Sequence, residues 1–127
     1  MRTRDLRDLV HFSEDQALHH ALFETERLWS EILCLQGAQG VGPMTDPRSD
    51  AIVVVLSGEV AARVNKGRTR MKQWESAMVP AGGELTIRNA SEDPSVVLLV
   101  LSPPPAPKGR DGTGDTEGTG PAADQDN

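Results

Sequence analysis

The sequence is poor in aromatic residues and cysteine, and each shortage excludes a class of function. Among 127 residues there are two Phe, two Trp and no Tyr, too few for a wide surface on which nucleic-acid bases stack. The net charge of −6 also repels a phosphate backbone. We therefore predict no nucleic-acid partner. The single cysteine, Cys34, excludes an internal disulfide and a thiolate metal cluster.

Long apolar segments are also missing. No run approaches the ~20 apolar residues needed to span a bilayer. The charged N-terminal stretch MRTRDLRDLV is not followed by the apolar core of a signal peptide. Arg outnumbers Lys ten to three, a bias associated with bacteria whose DNA is rich in G and C. These features predict a protein of the bacterial cytoplasm with no membrane partner.

The sequence contains instead a series of short apolar runs separated by turn residues. The two strongest, at 52–56 and 95–101, are rich in β-branched residues and have the length of a strand. Asn65-Lys66-Gly67 is typical of a hairpin turn. Further runs with strand character lie at 60–64, 68–72, 77–79 and 85–87. Strands spaced roughly 8–12 residues apart indicate an all-β sandwich or barrel.

Residues 14–36 permit two interpretations. Apolar runs at 18–23 and 28–35, with a plausible turn at 24–27, predict a pair of strands. The abundance of Leu, Glu, Ala and Gln also suits a single long helix. We favour the strands. The three glycines and one proline of residues 37–43 are then expected to break any regular element.

The two ends of the chain differ from its centre. Residues 1–16 are polar with a few apolar anchors, and we predict an N-terminal extension that packs across a β domain at 17–102. It takes the form of either a short helical turn or an edge strand. The composition then shifts to Pro, Gly, Asp and Thr, and residues 108–127 contain five acidic and two basic residues. Such a segment buries too little apolar surface to offset its ordering entropy. We predict that 103–127 is a disordered acidic tail.

Residues 50–59 have the sequence DAIVVVLSGE, and residues 74–82 have the sequence WESAMVPAG. These two segments resemble the signature blocks of the cupin superfamily. The family pattern is Gly…His-x-His…Glu…Gly and, after a hairpin, Gly…Pro-x-Gly-x-x-His…Asn. Residues 50–59 are similar to the end of the first block, and 74–82 are similar to the second, with Trp74 where a glycine is usual. Asn89 stands where the closing asparagine belongs. The resemblance implies a small, RmlC-like cupin (a jelly-roll β-barrel), which commonly forms a homodimer.

The metal-ligand positions that the resemblance implies are not filled. The two histidine positions of the first block hold Met44 and Asp46, its glutamate position holds Ala51, and the histidine position of the second block holds Leu85. The metals of cupins need imidazole nitrogens and carboxylate oxygens that converge on them. We therefore predict that the protein has no metal and no cofactor.

The histidines of the sequence lie elsewhere, at His11, His19 and His20. On a strand, His19 and His20 would point to opposite faces and could not chelate a metal together. One of them inside the barrel would be a general base. His20 is the candidate, and no other catalytic residue is predicted.

Three functions remain open. The favoured one is a metal-free, non-catalytic cupin that binds a small, partly apolar molecule or a partner protein, as an accessory or sensor. The second is a metal-independent enzyme of the isomerase or epimerase type that uses an N-terminal histidine. The third is a structural dimer with a filled lumen. The resemblance also implies that Ala51 lines the mouth of the barrel. The predicted ligand-binding residues are Met44, Asp46, Trp74, Met78 and Leu85.

Overall fold

A computed structural model describes residues 1–105, and in this part of the chain nine strands follow a short 3₁₀ helix. The predicted tail beyond residue 105 lies outside the described residues. The helix, Leu6–Leu9, is far too short to cross a membrane, and no other helix occurs in residues 1–105. The strands are β1 (Leu18–Glu24), β2 (Trp29–Leu35), β3 (Gly40–Met44), β4 (Asp50–Ser57), β5 (Glu59–Val64), β6 (Gly67–Lys72), β7 (Ser76–Val79), β8 (Leu85–Arg88) and β9 (Ser95–Ser102).

The strands form two antiparallel sheets that enclose one apolar core. The first sheet has the order β1-β2-β9-β4-β7, and the second has the order β3-β8-β5-β6. Side chains alternate along each strand, so one face of each sheet contributes to the core between them. The all-β jelly-roll prediction is confirmed. The buried residues of this core are Leu33, Leu35, Ala51, Val53, Val55, Val60, Ala62, Met71, Val79, Leu85, Ile87, Val97 and Leu99.

Strand β2 is buried on both of its faces, and this explains its continuous apolar sequence. Leu33 and Leu35 face the core between the sheets, whereas Ile32 and Cys34 belong to a second cluster on the outer face. The prediction of two strands in residues 14–36 is confirmed, because β1 and β2 pair as a hairpin. A helix would bury a single stripe and leave half of these side chains in water.

The N-terminal extension covers the part of the outer face of the five-stranded sheet that β2 and β9 form. The second cluster consists of Ile32, Cys34 and Val96, and apolar side chains of residues 6–12 pack on it. The thiol of Cys34 is fully buried and lies 3.8 Å from the carbonyl oxygen of Leu9. Burial raises the pKa of this thiol, which keeps it protonated and unreactive.

The prediction that residues 37–43 contain no regular element is wrong, since β3 begins at Gly40. This strand lies at the edge of its sheet, and its register with β8 shifts between Val41 and Met44. An edge position and a bulge are the places where a strand accommodates Pro43, which lacks an N–H donor. The bulge brings Met44 opposite Leu85 on β8.

Gly58, between β4 and β5, is a position where a side chain would be costly. Its φ is +80°, and an added Cβ would lie 2.5 Å from the carbonyl oxygen of Pro94. Gly82 has a similar φ of +85° but no atom within 4 Å of an added Cβ. We expect Gly82→Ala to cost about 1–2 kcal/mol of unfolding free energy from left-handed strain alone. Gly58→Ala adds a steric cost and reaches about 3 kcal/mol.

Urea denaturation of both variants beside the wild-type protein measures this difference. The matched φ values make Gly82→Ala the control for backbone strain. Equal losses of stability in the two variants would contradict the close approach of the β4–β5 turn to Pro94.

Candidate functional site

A cavity of about 160 Å³ lies between the two sheets, at one end of the barrel. It is bordered by the first residues of β2, β4 and β8 and by the last residues of β3, β7 and β9. Its walls are mainly apolar. The largest apolar side chains that line it are those of Trp29, Met44, Val79, Leu85, Leu99 and Leu101.

The four positions that the cupin resemblance assigns to metal ligands all line this cavity. Met44 and Leu85 are opposite each other in the β3–β8 pair. Ala51 lies on β4, opposite both Val79 and Leu101, while Asp46 follows β3 in the loop to β4. The alignment of the sequence with the family pattern therefore corresponds to a real convergence of side chains.

These side chains do not fit a transition metal. Asp46 supplies carboxylate oxygens, but Ala51 and Leu85 supply no donor, and Met44 supplies a thioether that suits soft metals such as Cu(I). Within residues 1–105, no three His, Cys, Asp or Glu side chains lie close enough together to hold a metal ion.

Glu31 is a cavity residue that the sequence analysis missed. It lies on β2 among apolar residues, is 5% exposed, and lines the cavity together with Trp29. Its two carboxylate oxygens are 3.2 and 3.3 Å from Nδ1 of His19 on β1. Burying a carboxylate is unfavourable unless it is paired. A lone acid inside an apolar strand was the signal that could have identified it.

The loop after β3 supplies the remaining polar groups of the cavity. Oδ1 of Asp46 accepts hydrogen bonds from the backbone N–H groups of Arg48 (2.8 Å) and Ser49 (3.1 Å). The Asp46 carbonyl oxygen accepts a third from the N–H of Gly82. The Ser49 hydroxyl donates to the carbonyl oxygen of Pro103 at 2.6 Å. These bonds fix the cavity mouth to the end of β9.

His20 lies outside the barrel, whereas the general-base prediction requires it to lie inside. It is opposite Ile32 in the β1–β2 register, so it shares the outer face with the second cluster. Its ring forms an edge-to-face pair with that of His11, with centroids 5.5 Å apart. Burial, and then the nearby positive charges of His11 and His19, lower the pKa of His20. Its neighbour His19 faces the opposite way and contacts Glu31.

Met78 and Trp74, both predicted to bind ligand, also lie outside the cavity. On β7, Val79 faces the core, so the adjacent Met78 projects outward and is 63% exposed. Trp74 occupies the β6–β7 turn with φ +74° and is 74% exposed. The tryptophan that lines the cavity is Trp29. Of the five predicted ligand-binding residues, the structure brings together Met44, Asp46 and Leu85.

Two antiparallel sheets closed around a cavity at one end define a β-barrel of the cupin type. The cupin domain family matches residues 32–101, which is more than half of the chain. The chain therefore belongs to the cupin domain family. No curated protein matches it.

Solved structures with the same fold come from several organisms. TT1209 from Thermus thermophilus is 28% identical, with a TM-score of 0.79 over 83% of this chain and 100% of that chain. SPY1581 from Streptococcus pyogenes is 26% identical, with a TM-score of 0.69 over 83% and 90%. KdgF from Halomonas sp. is 17% identical, with a TM-score of 0.66 over 74% and 84%. The likeness to KdgF shows the fold alone.

The lowered pKa of His20 predicts a pH-dependent stability. The unfolded chain takes up a proton near the ordinary value of 6.5, at a pH where folded His20 stays neutral. The stability that neutral His20 contributes is therefore fully present above pH 6.5. It is lost as the pH falls through the pKa of His20 in the folded protein. We expect His20→Leu to show a smaller loss of stability than the wild-type protein between about pH 7.5 and about pH 5.

Urea denaturation of both proteins at each pH tests this expectation. The change in the difference between them, rather than either absolute stability, isolates His20 from the other titrating groups. Parallel pH profiles for the two proteins would contradict the assigned burial of the His20 ring.

Proposed function

We propose that this cupin domain binds a small, partly apolar molecule in the barrel cavity, without a metal and without catalysis, as an accessory or sensor. The observation that carries the proposal is the replacement of the ligand set by Met44, Asp46, Ala51 and Leu85 around a cavity that remains unfilled. Packed side chains normally fill so small a barrel. The volume of the cavity therefore supports ligand binding over the alternative of a lumen filled by side chains.

The composition of the lining supports a ligand with an apolar body and a polar end. The walls carry aromatic, thioether and branched aliphatic side chains, among them Trp29, Met44 and Leu101. The polar groups are few and come from Glu31 and the Asp46 loop. Small-molecule sites typically combine a mostly apolar lining with a few polar groups that fix the orientation.

The volume limits the size of the ligand. About 160 Å³ is close to the ~150 Å³ of an engineered cavity that binds benzene, and below the ~300–1,000 Å³ of typical ligand pockets. A molecule of roughly the size of benzene fits inside. A sugar nucleotide is several times larger, so the volume does not favour an isomerase or epimerase that encloses such a substrate.

The positions of the histidines further weigh against the enzyme alternative. No histidine of residues 1–105 lines the cavity, and His20 faces the outside of the barrel. The enzyme alternative that the sequence left open needs an N-terminal histidine as the base beside the substrate. The polar groups in the cavity lining are carboxylates and hydroxyls instead.

Filling the cavity tests the binding proposal. Ala51→Leu places a larger side chain against the opposing wall, and Ala90→Leu, in an exposed loop outside the cavity, is the control. We expect wild-type protein to bind fragments such as isopentanol or isopentylamine with Kd on the order of 1 mM. Ala51→Leu should weaken this binding at least tenfold, and Ala90→Leu should leave it unchanged.

Protein-observed NMR titration measures these affinities and maps the shifted residues. Absence of binding by the wild-type protein, or equal binding by Ala51→Leu, would contradict the proposal. Elemental analysis of the purified protein completes the test, because a stoichiometric transition metal would contradict the metal-free part.

We also propose that the chain forms a homodimer, as the cupin resemblance implies. An apolar row supports this on the outer face of the five-stranded sheet, where Ile52 lies opposite Met78 on one side and Val100 on the other. Ile52 is 47% exposed and Met78 is 63% exposed. Adjacent exposed apolar side chains of this kind are typical of interaction surfaces.

A charge inserted in this row should weaken the dimer. We expect Met78→Glu to reduce the association constant at least tenfold, because a carboxylate would have to be desolvated in the interface. Lys66→Gln, in the exposed β5–β6 turn, changes the net charge by the same single unit and is the control. Sedimentation velocity over a concentration series measures the change. A monomeric wild-type protein, or an unaltered Met78→Glu dimer, would contradict the proposed interface.

A further inference from the structure

The charged side chains that the described part of the chain contributes to the cavity lining are all acidic. Glu31 and Asp46 both line it, whereas no Lys or Arg is among its lining residues in the described chain. The two acids come from different elements, a central strand and the loop after β3. A ligand that enters this space therefore meets a negative electrostatic potential.

Glu31 is the stronger of the two determinants because it is removed from water. Its side chain is 7% exposed, and the partner that the structure shows, His19, is 47% exposed at the sheet edge. A carboxylate has about four lone-pair sites that accept hydrogen bonds, and Nδ1 of His19 occupies only part of them. Glu31 therefore keeps acceptor capacity toward the cavity, and an ammonium group there would form a charge-assisted hydrogen bond with it.

The apolar wall beside Glu31 suits the same kind of ligand. Trp29 lies two residues before Glu31 on β2, on the same face of the strand, and both side chains line the cavity. The face of an indole ring attracts an organic cation, and this attraction strengthens when water is excluded. Met44 and Leu85 offer apolar contact for the remainder of the molecule.

We propose that the ligand of this cavity is a small organic ammonium ion, a protonated amine with a compact apolar body. The inference rests on the proposed function, because it names the chemical class of molecule for the same cavity. Glu31 pairs with the ammonium group, Asp46 adds negative potential at the mouth, and Trp29 contacts the body of the ligand.

Other charged ligands fit this cavity less well. A carboxylic acid or a phosphate ester would be repelled by the two carboxylates, with no basic side chain in the described lining to bind it. Divalent Ca²⁺ and Mg²⁺ need about six or more oxygen ligands. No cluster of three potential ligand side chains exists in residues 1–105, and the walls are largely apolar.

The test compares two probes of nearly the same shape at about pH 7.5, isopentylamine and isopentanol. The amine is protonated at this pH, since its pKa is similar to that of a lysine side chain, about 10.4. Trp74→Phe serves as the background protein, because Trp29 is then the only tryptophan and its fluorescence reports on the cavity. We expect the amine to bind at least tenfold more tightly than the alcohol.

A charge-removing variant assigns this preference to Glu31. We expect Glu31→Gln, which keeps the shape of the side chain, to weaken amine binding at least tenfold and to leave the alcohol affinity unchanged. Glu84→Gln removes an exposed charge that does not line the cavity, and is the matched control. The comparison of the two probes on the background protein remains decisive if Glu31→Gln does not fold.

The possible outcomes separate the two proposals. Tighter binding of the amine that is lost in Glu31→Gln supports the inference. Binding of the alcohol with equal or higher affinity than the amine overturns the inference and leaves the proposed function standing. Binding of neither probe overturns the proposed function, and the inference with it.

Discussion

The antiparallel register of β4 and β9 sets which of their side chains face the core between the two sheets. Their register directs Ala51, Val53 and Val55 into the core between the sheets. The same register places Ile52 on the opposite face, beside Met78. A shift by one residue would exchange these two sets and expose the core to water. Burial of each core valine or leucine stabilises the fold by about 1.5–3 kcal/mol, so the register is strongly determined.

The cavity is a consequence of a small side chain at one end of this core. Ala51 occupies a position where the family has a glutamate, and its short side chain leaves volume between the sheets. Met44 and Leu85, opposite each other in the β3–β8 pair, make the wall apolar at two positions where the family pattern has histidine. With Met44, Ala51 and Leu85 at these positions the cavity wall is largely apolar, and its acidic groups are Glu31 and Asp46 in the described part of the chain.

Sequence patterns predicted where the strands lie better than they predicted which side chains of each strand face the core. Runs of β-branched residues and turn chemistry indicated nearly all strands, and the family pattern identified Met44, Asp46 and Leu85 as neighbours. The edge strand β3 was missed because Gly42 and Pro43 are tolerated only through a bulge, which depends on pairing with β8. Met78 was wrongly predicted to bind ligand in the cavity. The alternation of side chains along β7 gives its direction only once Val79 is known to face the core.

Local patterning and motif spacing are properties of the chain, so they were enough to predict an all-β cupin barrel with Met, Asp, Ala and Leu at the metal-ligand positions of the family pattern. The cavity, and its lining by Glu31 and Trp29, became visible only in the folded chain. The fold also places His20 outside the barrel, while its neighbour His19 contacts Glu31. Direction and proximity depend on the pairing of strands distant in sequence, and no local pattern encodes that pairing.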